Sequence, residues 1–195
     1  EIPEPQLQME APSPAKTAEV ENQEESFRIK PTLIRSKPAH STGAWDERLF
    51  KAVNKDIHFP EIFKSLRTRI LHPKDGKPAP RTILVAAISP REGKSFITAN
   101  LGITLAQGVD QHSLLIDCDL RRPRLAGLFG ITAQRGLVDY LKEEADIPEL
   151  LVQTSLNKLK VLPSGKPPVN PAELIGSARM HSLIETLSSR YEDRI

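Results

Sequence analysis

The sequence predicts an α/β fold, a parallel sheet with helices on both faces, and three observations carry that prediction. TILVAAI (82–88) is a short, nearly continuous apolar run with β-branched residues at both ends. SLLIDCD (113–119) is a second such run, and SFITANLGITLAQ (95–107) between them reads as a helix. Runs of this kind suit strands buried on both faces. A strand–helix–strand succession of this length closes as a right-handed crossover unit with parallel strands.

The other elements follow in order. EIFKSLRTRIL (61–71) is an amphipathic helix, with Ile62, Phe63, Leu66 and Ile70 at helical spacing and Pro60 just ahead. KDGKPAP (74–80) is a loop. A helical stretch is expected at 137–144, a third strand at LKVLP (159–163), a short helix opened by Pro171 and a last helix over 178–190. Residues 1–26 carry net charge −6, four Pro and no aromatic residue, against +8 for the rest. Such a segment cannot bury enough apolar surface to offset its ordering entropy, so it reads as a disordered arm. Residues 27–45 extend it as a linker with scattered apolar anchors, Phe27, Ile29, Leu33, Ile34 and Trp45. The expected division is therefore an arm and linker over 1–45 and one nucleotide-binding domain over 46–195.

Composition excludes several function classes. The formal net charge of +2 argues against a nucleic-acid binder. The single cysteine, Cys118, excludes a disulfide framework and a Cys-based zinc site, and fits a reducing cytoplasm. It reads as a small buried filler. No apolar run reaches the roughly 18–20 residues that span a bilayer, and the acidic N-terminal stretch is no secretory leader. The five His show no metal spacing.

Two motifs carry chemistry. REGKS (91–95) stands between a predicted strand and a predicted helix, the context of a phosphate-binding loop. There Gly93 lets the backbone approach a phosphate, Lys94 offers a cation to the β/γ-phosphates, and the Ser95 hydroxyl suits Mg²⁺. The usual first Gly of that loop is replaced by Ile88. LLIDCDLRRP (114–123) then delivers Asp117 and Asp119 to a strand's carboxyl end, where open α/β sheets bind ligands. Two carboxylates so spaced hold a metal or take a proton, or cap a turn. Arg121 follows within reach of a phosphate. Arg122 and Arg124 extend the basic run toward a nucleotide, a neighbouring tail or solvent.

Strand–PREGKS–helix followed by LLIDCDLRRP resembles the bacterial tyrosine kinases, the autokinases of polysaccharide biosynthesis. FKSLRTRI (63–70) and LKVLPSGKPPVNPAELIGSARM (159–180) are similar to two further stretches of that family. The resemblance covers about residues 60–195. It implies a P-loop NTPase-type domain binding ATP and Mg²⁺ through Arg91, Glu92, Gly93, Lys94, Ser95, Phe96 and Arg121. Lys94, Asp117 and Asp119 are the implied catalytic residues, and Ser95, Asp117 and Asp119 the implied metal ligands. Asp117 would activate the tyrosine hydroxyl and Asp119 organise the metal. The reaction is transfer of phosphate from ATP to tyrosine, in control of exopolysaccharide and capsule synthesis.

The resemblance also implies partners. The family's E-x-x-R-x-x-R oligomerisation motif reads Glu61, Lys64, Arg67 here, pointing to a ring-like homo-oligomer through the helix around 61–70. The substrate would be a Tyr-rich tail of a neighbouring subunit, and the activator a membrane-embedded polysaccharide co-polymerase. That partner would hold the cytoplasmic chain at the inner face of the plasma membrane. Three departures stand out. Arg91 occupies a position usually held by Gly. The family's third nucleotide motif, an apolar strand ending in Asp, does not occur before Ile195, so the sheet is expected to be incomplete at its C-terminal side. The only tyrosines, Tyr140 and Tyr191, are not clustered and read as packing residues. The alternatives are a P-loop ATPase switch of the partition or septum-positioning kind, which would need Lys where Ser89 stands, and a catalytically impaired interaction module.

Overall fold

The computed structural model describes residues 39–40, 43–49 and 59–190. The acidic arm, the anchors Phe27, Ile29, Leu33 and Ile34, and Tyr191 lie outside the described residues. The elements in chain order are β1 (Ala39–His40), α1 (Phe59–Leu71), α2 (Lys94–Ala106), β2 (Ser113–Ile116), α3 (Leu125–Leu128), α4 (Leu137–Leu141), α5 (Ile147–Leu150), β3 (Val152–Gln153), β4 (Leu159–Leu162), α6 (Pro171–Ile175) and α7 (Ala178–Arg190).

The four strands form one sheet in the order β1-β3-β4-β2. β2 runs parallel to β4, with Ser113 opposite Leu159 and Ile116 opposite Leu162. β1, from within the segment read as a linker, runs parallel to β3. The α/β class is as expected, but the sheet is mixed, because β3 and β4 are antiparallel. Residues 154–158 are too few for a crossover, so the chain can only turn back on itself. That turn is held by its own side chains: Thr154 Oγ1 donates to Leu159 O at 2.9 Å and Gln153 Nε2 to Leu156 O at 2.7 Å.

Strand alternation sorts the core into two layers. Leu115, Leu159 and Val161 face α2, α3 and Phe129. Leu162, with Leu114 and Ile116, faces α4, α5 and α7. Helices therefore cover both faces, as the sequence predicts. Leu159, Val161 and Leu162 are fully buried, each burial stabilising by about 1.5–3 kcal/mol. Trp45 docks edge-on against Phe129, with ring centroids 5.1 Å apart. Tyr140 is buried as expected, and Arg179 lies over its ring at 4.4 Å.

One expectation fails. TILVAAI (82–88) is not a strand and pairs with none of the described strands. Its start is tied to α7 by Arg81 Nη1 donating to Ser188 O and by a 2.8 Å contact of the Thr82 and Ser188 hydroxyls. Ile83 packs against Phe63, Leu101 and Leu105. The alternate residues have no cover: Leu84 is 85% exposed and Ile88 fully so. The run is apolar enough for two buried faces, but α1 and α2 cover only one. The crossover unit from 82–88 to β2 is thus not hydrogen-bonded; β2 pairs with β4 instead. Among the described residues no helix is long and apolar enough to cross a membrane.

Candidate functional site

Residues 88–93 turn from the 82–88 segment into α2. Gly93 is the helix N-cap at φ 91°, ψ 9°, a left-handed conformation that glycine alone adopts without cost. A side chain there would point into open space, since no atom lies within 4 Å of its Cβ position. The N–H groups of Gly93, Lys94 and Ser95 find no acceptor among the described residues, and no side chain caps the helix. The first N–H groups of a helix need a partner from outside it. The Lys94 and Ser95 side chains are half-buried and have no hydrogen-bond partner or ion pair among the described residues. Phe96 turns inward and packs on the core beside α2. Arg91 is the surprise: it sits at φ 68°, a conformation that costs a non-glycine residue about 1–2 kcal/mol. Arg91 and Glu92 are exposed.

The second motif follows β2. Asp117 is buried, and both of its oxygens are engaged by backbone. Oδ1 accepts from Asp119 N at 3.2 Å, and Oδ2 accepts from Arg124 N at 3.1 Å and Leu125 N at 2.9 Å. Asp117 thereby closes the loop 117–125 and caps α3 from eight residues away. Burial pushes its proton affinity up, and the three N–H groups offset this in part. One lone pair of Oδ1 remains uncommitted. Asp119 is half-buried; its Oδ1 accepts from Arg122 N at 3.1 Å and its Oδ2 is open. Cys118 between them is exposed rather than a buried filler. The crowded strand end behind it and the Asp117 carboxylate nevertheless push its thiol up to about 11. The Arg121, Arg122 and Arg124 side chains are exposed and carry no ion pair among the described residues.

The fold brings the two motifs to one end. α2 lies along β2, with Gly102 against the Leu115 side chain, while the loop between them is pinned at the opposite end by Lys158 Nζ on Gly108 O and Val109 O. The N-terminus of α2 and the carboxyl end of β2 therefore share one edge of the layer. The α1 residues are elsewhere. Glu61 and Lys64 form an exposed ion pair at 2.7 Å, and Arg67 Nη1 donates to Thr104 O at 2.9 Å, tying α1 to α2. The sequence offers Asp117 as a turn cap, which its bond from Asp119 N matches, but not as a clamp on α3. Two of its three partners, Arg124 N and Leu125 N, lie seven and eight residues on, outside the i to i+3 window in which a cap is recognisable.

The likeness to known proteins is specific. The chain is 34% identical to tyrosine-protein kinase ptk of Acinetobacter johnsonii over 139 residues, 71% of this chain and 19% of the relative. It is 33% identical to tyrosine-protein kinase CpsD of Streptococcus agalactiae over 134 residues, 68% of this chain and 56% of the relative. It superposes on the kinase domain of Escherichia coli tyrosine kinase ETK with TM-score 0.65 at 29% identity, covering 75% of this chain and 57% of that one. The chain belongs to the bacterial tyrosine kinase family. A further solved structure, the chimerical protein CapA2B2, matches with TM-score 0.68 at 29% identity, over 78% of this chain and 67% of that one. No family model matches. The chain spans less than two-thirds of the length of these curated kinases.

The residues present fit the ligands of a tyrosine kinase. Three N–H groups and a Lys94 ammonium without a partner among the described residues, with open space over Gly93, suit a phosphate chain. A hydroxyl and two carboxylates are the hard oxygen donors that Mg²⁺ takes together with phosphates.

Proposed function

We propose that the chain is the nucleotide-binding part of an ATP-dependent protein-tyrosine autokinase acting in exopolysaccharide or capsule biosynthesis. The observation that carries this is the unpaired N-terminus of α2, with Lys94 beside it, at the same edge as the Asp117–Asp119 pair. Family membership supplies the reaction class. The N–H groups of Gly93, Lys94 and Ser95 would cradle the phosphates of ATP, with Arg121 beside them. Lys94 stabilises charge on the transferring group. Ser95, Asp119 and the free Oδ1 lone pair of Asp117 would hold Mg²⁺, directly or through water, and the ion would add further charge neutralisation there. Asp117 is the carboxylate assigned to the tyrosine hydroxyl.

The phosphoacceptor is read as a Tyr-rich tail on a neighbouring subunit of a ring-like homo-oligomer, with Glu61 and Lys64 on the exposed side of α1 at the contact. A membrane-embedded polysaccharide co-polymerase is the proposed activator, which would place the chain at the cytoplasmic face of the membrane. Incubation with Mg·ATP and a Tyr-rich peptide tests the reaction. Phosphotyrosine is expected from the wild type and none from Lys94→Met. Release of inorganic phosphate without transfer to tyrosine would favour the ATPase switch, and no nucleotide binding at all would favour the interaction module.

A further inference from the structure

Among the described residues only two non-glycine positions adopt left-handed backbone, Arg91 and Glu143. Glu143 has a structural reason. It follows the last turn of α4, where this conformation ends helices, and its carboxylate pairs with Arg179 at 3.6 Å. Arg91 has none. It ends no helix, its guanidinium is exposed, and it makes no ion pair or hydrogen bond with any described residue, Glu92 included. A glycine would hold this turn without strain, so the side chain is what the position retains. It stands two residues before the unpaired N–H group of Gly93 and three before Lys94.

Building on the nucleotide-site reading above, we propose that Arg91 is a specificity-determining residue whose guanidinium binds the phosphate chain of a nucleoside triphosphate and favours it over the diphosphate. A guanidinium offers parallel N–H donors that match two phosphate oxygens at once, which the Lys94 ammonium cannot do. Its attraction grows with the charge of the chain, so the triphosphate gains more than the diphosphate.

The test compares Arg91→Gly and Arg91→Ala with the wild-type chain, measuring Mg·ATP and Mg·ADP affinities by calorimetry and melting temperatures without nucleotide. Arg91→Ala removes the cation and keeps the strain; Arg91→Gly removes both. Both variants are expected to lose about tenfold in ATP affinity and less than about threefold in ADP affinity, the size of one charge-assisted phosphate contact. Arg91→Gly is expected to melt a few degrees above Arg91→Ala. Unchanged affinities in both variants overturn the contact, and equal losses for the two nucleotides overturn the selectivity. An Arg91→Gly protein that melts no higher than Arg91→Ala overturns the strain argument. A wild-type chain that binds neither nucleotide sinks the nucleotide-site reading itself, a result distinct from all of these.

Discussion

The loop ahead of α2 and the loop after β2 lie at the same edge of the layer and are built in opposite ways. The loop after β2 is closed by the protein's own groups: one buried carboxylate, Asp117, takes three backbone N–H groups. The loop ahead of α2 is left open: three N–H groups and a lysine have no described partner, and Arg91 holds an unfavourable backbone angle. The first loop is a finished piece of structure that presents Asp119 and Arg121. On the proposed reading, an anion would complete the second. The proposed nucleotide site would gain from this division, because one of its walls is held by the chain's own hydrogen bonds before any ligand binds.

Substitutions that separate the two loops sharpen the contrast. The largest effect is expected from Lys94→Met, which abolishes phosphotyrosine formation while shifting the nucleotide-free melting temperature by no more than about 2 °C, since the Lys94 ammonium makes no hydrogen bond or ion pair with any described residue. A large drop in melting temperature would show that the lysine is structural. Asp117→Ala should do the reverse without any ligand. Three N–H groups lose their acceptor at a cost of about 2–3 kcal/mol, a fall in melting temperature of roughly 5–10 °C. An unchanged melting curve would break the idea that this loop is self-supporting.

Smaller effects probe the surroundings. Arg67→Ala should cost about 1 kcal/mol through the lost bond to Thr104 O, whereas Glu61→Ala and Lys64→Ala leave stability within about 0.5 kcal/mol because their pair is exposed. If α1 is a subunit contact, those two substitutions lower the oligomer mass by light scattering all the same. Least of all, Asp46 is held down at about 2 by its hydrogen bonds from Arg48. Its folded value lies below its unfolded one, so its contribution is present above about pH 4 and is lost as the pH falls toward 2. Chemical denaturation of Asp46→Asn should therefore converge with the wild type at pH 2.

The local parts of the fold were legible in the sequence, and the non-local parts were not. Helices α1, α2 and α7 and strands β2 and β4 are each marked by their own periodicity or apolar run. The GKS and D-x-D motifs, read from local sequence alone, lie at one edge of the layer. Strand β1 has two residues and β3 has two, too short for any pattern, and only their partners define them. The antiparallel β3–β4 pair follows from the length of the connecting turn. Asp117 is readable as a turn cap through Asp119 N, but its hold on α3 is not, because Arg124 N and Leu125 N lie seven and eight residues on. Arg67 reads as a surface cation on a helical wheel, yet its guanidinium reaches a carbonyl of α2. Cys118 reads as filler because an apolar run suggests burial, but the strand ends at Ile116, before it.

The uncovered side of 82–88 has a consequence for handling the protein. Seven residues without a charge, without Pro and with Leu84 and Ile88 in water form an adhesive edge of the kind that recruits foreign backbone. At high concentration this stretch is expected to set the solubility of the isolated chain. A single lysine at position 84 should act as a gatekeeper that keeps it in solution.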